Sequence, residues 1–187
     1  MKIKFISILF LFNFSFILNT KLYDPQSLFM ETVNALGSLS PYNFIYNPNN
    51  INLGMGNMNQ LKAIQDYLFN FYDVSTFFLL IDNVGSDYLS TNGLTKFITE
   101  YMYYYESRFP INDDLTVTVL FLFNCEFGHI QSIRAGNYLT SLLGGNYKLN
   151  QLLDEQYVNI ETNNYLQAIF SILIKIRNSV ELAGQNN

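Results

Sequence analysis

Apolar positions along the chain change period several times, and each change marks an element. Leu61, Ile64, Leu68 and Phe71 recur at steps of three and four, so Met58–Tyr72 is predicted as an amphipathic helix. Ser75–Ile81 (STFFLLI) is a continuous apolar and aromatic run, the pattern of a buried strand. Asn83–Gly93 has no period and reads as a loop. Leu94, Phe97, Ile98 and Tyr101 restore helical spacing, and that helix must stop before Pro110. Thr116–Phe123 (TVTVLFLF) is β-branched and apolar on both faces, as a central strand is. A turn near Glu126 and the less apolar Phe127–Ala135 complete an antiparallel edge hairpin.

The flanks are simpler. Asp24 followed by Pro25 is a helix-start signal, so Pro25–Leu36 is expected as a short helix. Gly37–Gly56 is rich in Ser, Pro, Asn and Gly and reads as a connecting loop. Tyr138–Leu143, Leu149–Gln156 and Asn163–Arg177 are expected helices, with Gly144-Gly145 breaking the first pair. A strand–helix–strand passage from Ser75 to Phe123 implies a parallel pair with a right-handed crossover. The expected fold is therefore a small α/β layered domain. Its central mixed sheet has about three to four strands, with helices on both faces.

Composition narrows the function classes. The 187 residues are 49% hydrophobic and only 13% charged, enough apolar surface for one sizeable core. A net charge of −5 argues against nucleic acid as a partner. One Cys and one His exclude a disulfide framework and any zinc site built from several Cys or His. Lys2 and Lys4 precede an apolar stretch, Phe5–Leu18, of signal-sequence length. Residues 1–19 are thus expected as a secretory signal, an uncleaved anchor or a buried helix being the other reading. The remainder divides into 20–56, a short helix and loop; 57–180, the α/β domain; and 181–187, a tail. No transmembrane helix is expected in the mature chain, because the apolar strip Leu166–Ile176 is interrupted and short.

From Asn47 to Asn178 the order of local motifs resembles the TPM domain family. Asn47-Pro48-Asn49-Asn50, with Leu53, stands where that family carries an Asn-Asp … Leu opening before its first helix. Asn112-Asp113-Asp114-Leu115 stands where Asn-Asp-Gly-Val-Leu leads into the central strand, and Ile133-Arg134-Ala135-Gly136 is similar to Arg-Ile-x-x-Gly. Leu139-Thr140 and Gly145-Asn146-Tyr147 fall near family-like turns. The resemblance implies a sheet flanked by helices. It also implies one of the roles described for that family: acid phosphatase, photosystem assembly factor or modulator of a membrane receptor. Two departures fall where phosphatase chemistry would sit: Asn49-Asn50 lacks the carboxylate of Asn-Asp, and Asp113-Asp114 replaces Asp-Gly.

Three groups of residues carry candidate chemistry. Asp113 and Asp114 are adjacent carboxylates beside Asn112, a donor set suited to a hard cation such as Ca²⁺ or Mg²⁺. Asp82 and Asp87 follow the preceding parallel strand, which puts them at the opposite sheet end from Asp113 and argues against one shared site. His129 is of a residue type suited to acid–base chemistry near neutrality but has no triad partner, and Cys125 lies beside an apolar run that favours burial. Tyr101, Tyr103, Tyr104 and Tyr105 are the third group. Consecutive helical residues point in different directions, so part of this ring area is expected at the surface as a protein contact. The expectation is a secreted or luminal module acting through a protein partner, such as a membrane receptor or complex. A weak metal-dependent acid phosphatase is the alternative.

Overall fold

The computed structural model describes residues 21–37, 40–125 and 128–185. The expected signal segment 1–19, the turn at Glu126, the end of the tail and the side chains of Cys125 and His129 lie outside the described residues. Among the described residues are seven helices: α1 (Pro25–Leu36), α2 (Met58–Tyr72), α3 (Thr91–Arg108), α4 (Asn137–Leu142), α5 (Asn146–Asp154), α6 (Tyr157–Glu161) and α7 (Tyr165–Gln185). They surround one sheet of β1 (Asn43–Tyr46), β2 (Ser75–Ile81), β3 (Thr116–Cys125) and β4 (Gly128–Ala135), in spatial order β1-β2-β3-β4. β1, β2 and β3 are parallel and β4 is antiparallel to β3, so the fold is the expected mixed-sheet α/β domain.

Alternation along the strands divides the interior in two. Phe78 and Leu80 of β2 join Val117, Val119 and Phe121 of β3 under α2 and α7. Phe77, Leu79 and Ile81 join Leu120 and Leu122 under α1 and α3. Both strands are therefore apolar on both faces, which is why their sequences read as unbroken hydrophobic runs. The two crossovers share this division: β1 reaches β2 through α2 on one face, and β2 reaches β3 through α3 on the other. Strands advancing in one direction with helices on opposite faces require crossovers of opposite hand. One of them is left-handed, an exception to the usual rule.

The stretch 37–56 departs from its expected character as a loop, because β1 lies within it. Phe44 and Tyr46 are buried under the α1–α3 layer, and four residues between Pro41 and Pro48 are too few to show a period. A polar clasp holds this edge strand in place. Asn43 Oδ1 accepts from the Thr76 N–H at 3.0 Å, and its amide donates to the Gln65 carbonyl at 3.2 Å. The Gln65 amide in turn donates to Thr76 Oγ1 at 2.9 Å, so the buried amide is satisfied. On the other side of the sheet the Tyr23 N–H donates to the Asn83 carbonyl at 3.2 Å, joining the amino-terminal segment to the end of β2.

Two further differences are local. α6 is a five-residue helix that the pattern does not reveal. α7 continues to Gln185, beyond the expected end at Arg177, because Val180 is still buried and Glu181 bonds Arg177 at 2.7 Å. Among the described residues no helix is long and apolar enough to cross a membrane.

Candidate functional site

The tyrosine cluster is sorted by helical geometry. Ser90 caps α3 by accepting the Gly93 N–H at 2.9 Å, and from there Leu94, Phe97, Ile98, Tyr101, Met102 and Tyr105 turn inward at alternating steps of three and one. Tyr101 and Tyr105 are both 0% exposed. The Tyr105 ring packs on Phe77 at 4.9 Å and Phe109 at 4.7 Å, and its hydroxyl donates to the Pro41 carbonyl. Burial pushes the Tyr101 phenol well above its usual value. These two are core residues, which corrects their place in the expected contact group; the part of the ring area left at the surface belongs to Tyr103 and Tyr104.

Tyr103 and Tyr104 point the other way. Tyr103 is 71% exposed, and Tyr104 is half-buried against the Phe29 ring of α1, stacked at 6.1 Å. The two tyrosine rings meet edge to face at 5.9 Å, and Met30, the neighbour of Phe29 on α1, is 51% exposed. Phe29 was not legible as part of this group, since only tertiary packing brings α1 against α3. The result is an aromatic surface whose rings are held by one another, an arrangement suited to protein recognition because little side-chain freedom is left to lose.

Asp113 and Asp114 occupy a single 3-10 turn, Asp113–Leu115, just before β3. The parallel register Ser75↔Thr116 to Ile81↔Leu122 places them at the amino end of the strands, while Asp82 follows the carboxyl end of β2. A seven-residue strand separates the two ends by about 20 Å, so these acids do not share a site. Asp113 faces Arg134 of β4, with Nη2 to Oδ1 at 3.3 Å, and the other terminal nitrogen of Arg134 reaches Glu106 Oε1 of α3 at 3.5 Å. Asn112 donates to Asp73 Oδ2 at 3.3 Å, fixing the approach to the turn. Among the described residues no group of three or more His, Cys, Asp or Glu side chains is placed to hold a metal ion.

Glu106 is the unusual member of this cluster. Burial, then the hydrogen bond and charge of Asp113, push its carboxyl from 4.5 up to about 7, against the opposing pull of Arg134. A carboxyl raised in the folded state favours folding fully below its unfolded value, and that contribution is lost as pH rises through about 7. The side chain is still partly exposed, so we expect on the order of 1 kcal/mol from this group. For a chain of this size, and with part of the contribution already lost at pH 5.5, that means an unfolding midpoint lower by about 1–2 °C at pH 8 than at pH 5.5 from this group. Glu106→Gln should remove that part of the pH dependence, as thermal unfolding followed by circular dichroism at the two pH values will show. An unchanged pH dependence in the variant would refute this assignment.

Compared with family models and with curated proteins, the sequence matches none of them.

Proposed function

We propose that the protein is a secreted or luminal TPM-like module that acts through protein contacts, as a regulatory or assembly factor. The observation that carries this reading is the aromatic surface of α1 and α3: Tyr103 exposed, Tyr104 stacked on Phe29, Met30 alongside. Rings of this kind, anchored beneath and open above, are what protein interfaces place at their centres. The apolar leader, expected as a secretory signal, and the motif order resembling the TPM family supply the setting. The partner class that fits this setting is a membrane receptor or complex reached from the luminal or extracellular side.

Changing Tyr103 and Tyr104 together to Ala should abolish partner capture while leaving the fold intact. Affinity capture from the native tissue, with unfolding midpoints measured on the same preparations, tests it. Undiminished capture by a folded double variant would contradict the reading.

The phosphatase alternative draws on Asp113 and Asp114, with Ca²⁺ or Mg²⁺ as the cation. One observation favours it, namely that Arg134 gathers Glu106, at 3.5 Å, and Asp113, at 3.3 Å, into one cluster. Against it, Arg134 already answers the Asp113 charge, so a cation would first have to displace the guanidinium.

A further inference from the structure

Tyr103, Tyr138, Tyr147 and Tyr157 are the tyrosines with exposed rings among the described residues. Their surroundings differ. Tyr138 and Tyr147 have no Asp or Glu within five residues, and each has a base close by in the chain, Arg134 and Lys148. The Lys148 ammonium lies 5.9 Å from the centre of the Tyr147 ring. Tyr103 is inside the 18-residue helix α3, with its ring against Tyr104. Tyr157 is 58% exposed and stands between Asp154 and Glu155 on one side and Glu161 on the other. No Lys or Arg occurs between Lys148 and Lys175. All three carboxylates are exposed. Lys175 meets Glu155 at 3.3 Å, whereas Asp154 and Glu161 form no ion pair among the described residues.

Tyr157 also begins α6, whose five residues bury only Ile160. A helix this short opens at little cost, so the phenol and its flanks can be drawn into an enzyme's cleft. A transferase that holds an anionic group donor lines its cleft with cations. Carboxylates on both sides of an acceptor are steered towards such a cleft, and nearby bases are repelled from it. Of the exposed tyrosines, Tyr157 combines an open ring, an acidic base-free flank and a segment that unwinds easily.

We propose that Tyr157 is a site of O-sulfation by a luminal sulfotransferase that uses phosphoadenosine phosphosulfate as donor. The proposal rests on the secretory reading, which brings the chain into the compartment of that enzyme. The Tyr157 hydroxyl oxygen bonds to the donor's sulfur as the bond from sulfur to the phosphate oxygen breaks. The phenolic proton passes to a base of the transferase, and the nucleotide leaves as its bisphosphate. The product is a fixed anion between Asp154 and Glu161, an acidic patch that a basic partner surface can read.

The full chain, with its own leader, is produced in secreting animal cells fed radioactive sulfate, alongside Tyr157→Phe, Tyr147→Phe and an Asp154→Asn/Glu161→Gln form. Label recovered as tyrosine O-sulfate after alkaline hydrolysis is expected in the parent and in Tyr147→Phe. It should be absent from Tyr157→Phe and reduced severalfold in the carboxylate variant. All four positions face solvent, so circular dichroism should match the parent chain. A secreted chain without label, label that survives Tyr157→Phe, or a phosphate ester in place of the sulfate would overturn the proposal alone. A chain confined to the cytosol would overturn the secretory reading and the proposal with it.

Discussion

Replacing Tyr105 by Ala is expected to cost about 3–5 kcal/mol of folding stability, whereas Tyr103→Ala should change it by less than about 0.5 kcal/mol. The two residues are two apart on the same helix and chemically identical, so only their surroundings differ. Tyr105 is enclosed by Phe77, Phe109, Phe44 at 5.8 Å and Tyr101 at 6.0 Å. Truncation would leave a large cavity in the layer that joins α3 to β1 and β2. It would also strand the Pro41 carbonyl, whose partner is the Tyr105 hydroxyl. Tyr105→Phe isolates that second loss and should cost about 1 kcal/mol. Urea unfolding of the three variants measures all of these. Equal losses at 103 and 105 would mean that the inward and outward faces of α3 have been assigned wrongly.

Gly136→Ala should be nearly as damaging, by about 3 kcal/mol or more. Gly136 has an ordinary φ of −61°, so conformational freedom is not the reason for glycine here. Space is. A Cβ at this position would lie 2.0 Å from the carbonyl oxygen of Asp113 and 2.5 Å from the carbonyl carbon of Asp114, all of it backbone. Retreat is blocked on both sides, because the Gly136 N–H donates to Thr116 at 2.9 Å and its carbonyl accepts from Thr140 at 2.8 Å. Relief therefore requires the turn carrying Asp113 to move away from β4 and from Arg134. The same substitution should accordingly weaken the pH dependence that passes through Glu106. Denaturant unfolding at two pH values reads both effects, and wild-type stability in the variant would show that the turn yields easily.

Much of the fold was legible because its central elements are long and strongly patterned. The bounds of α2 and β2 follow from the switch between helical spacing and a continuous apolar run, and β3 from its β-branched stretch. β1 was not legible: four residues give no period, and their turn-forming neighbours mask a strand held by Asn43, Thr76 and Gln65. The opposite hands of the two crossovers were also beyond reach. β2 and β3 are apolar on both faces, so their patterns do not say which face each helix covers. At the candidate site, the spacing that places Leu94, Phe97, Ile98 and Tyr101 inward extends to Tyr105, so the core role of two tyrosines was available from periodicity. The Glu106–Arg134–Asp113 cluster was not. Its members come from α3, a turn and β4, and only the crossover and the hairpin bring them together.

The measurement that most directly tests the proposed contact role is partner capture by three forms of the chain: wild type, Tyr103→Ala/Tyr104→Ala, and Lys175→Ala. Lys175 is exposed on α7, across the sheet from the tyrosines, where its ammonium meets Glu155 at 3.3 Å. Loss of the captured protein in the tyrosine variant alone, with all three forms equally folded, is the result the account predicts. Equal capture by all three, or loss only in the Lys175 variant, would contradict it.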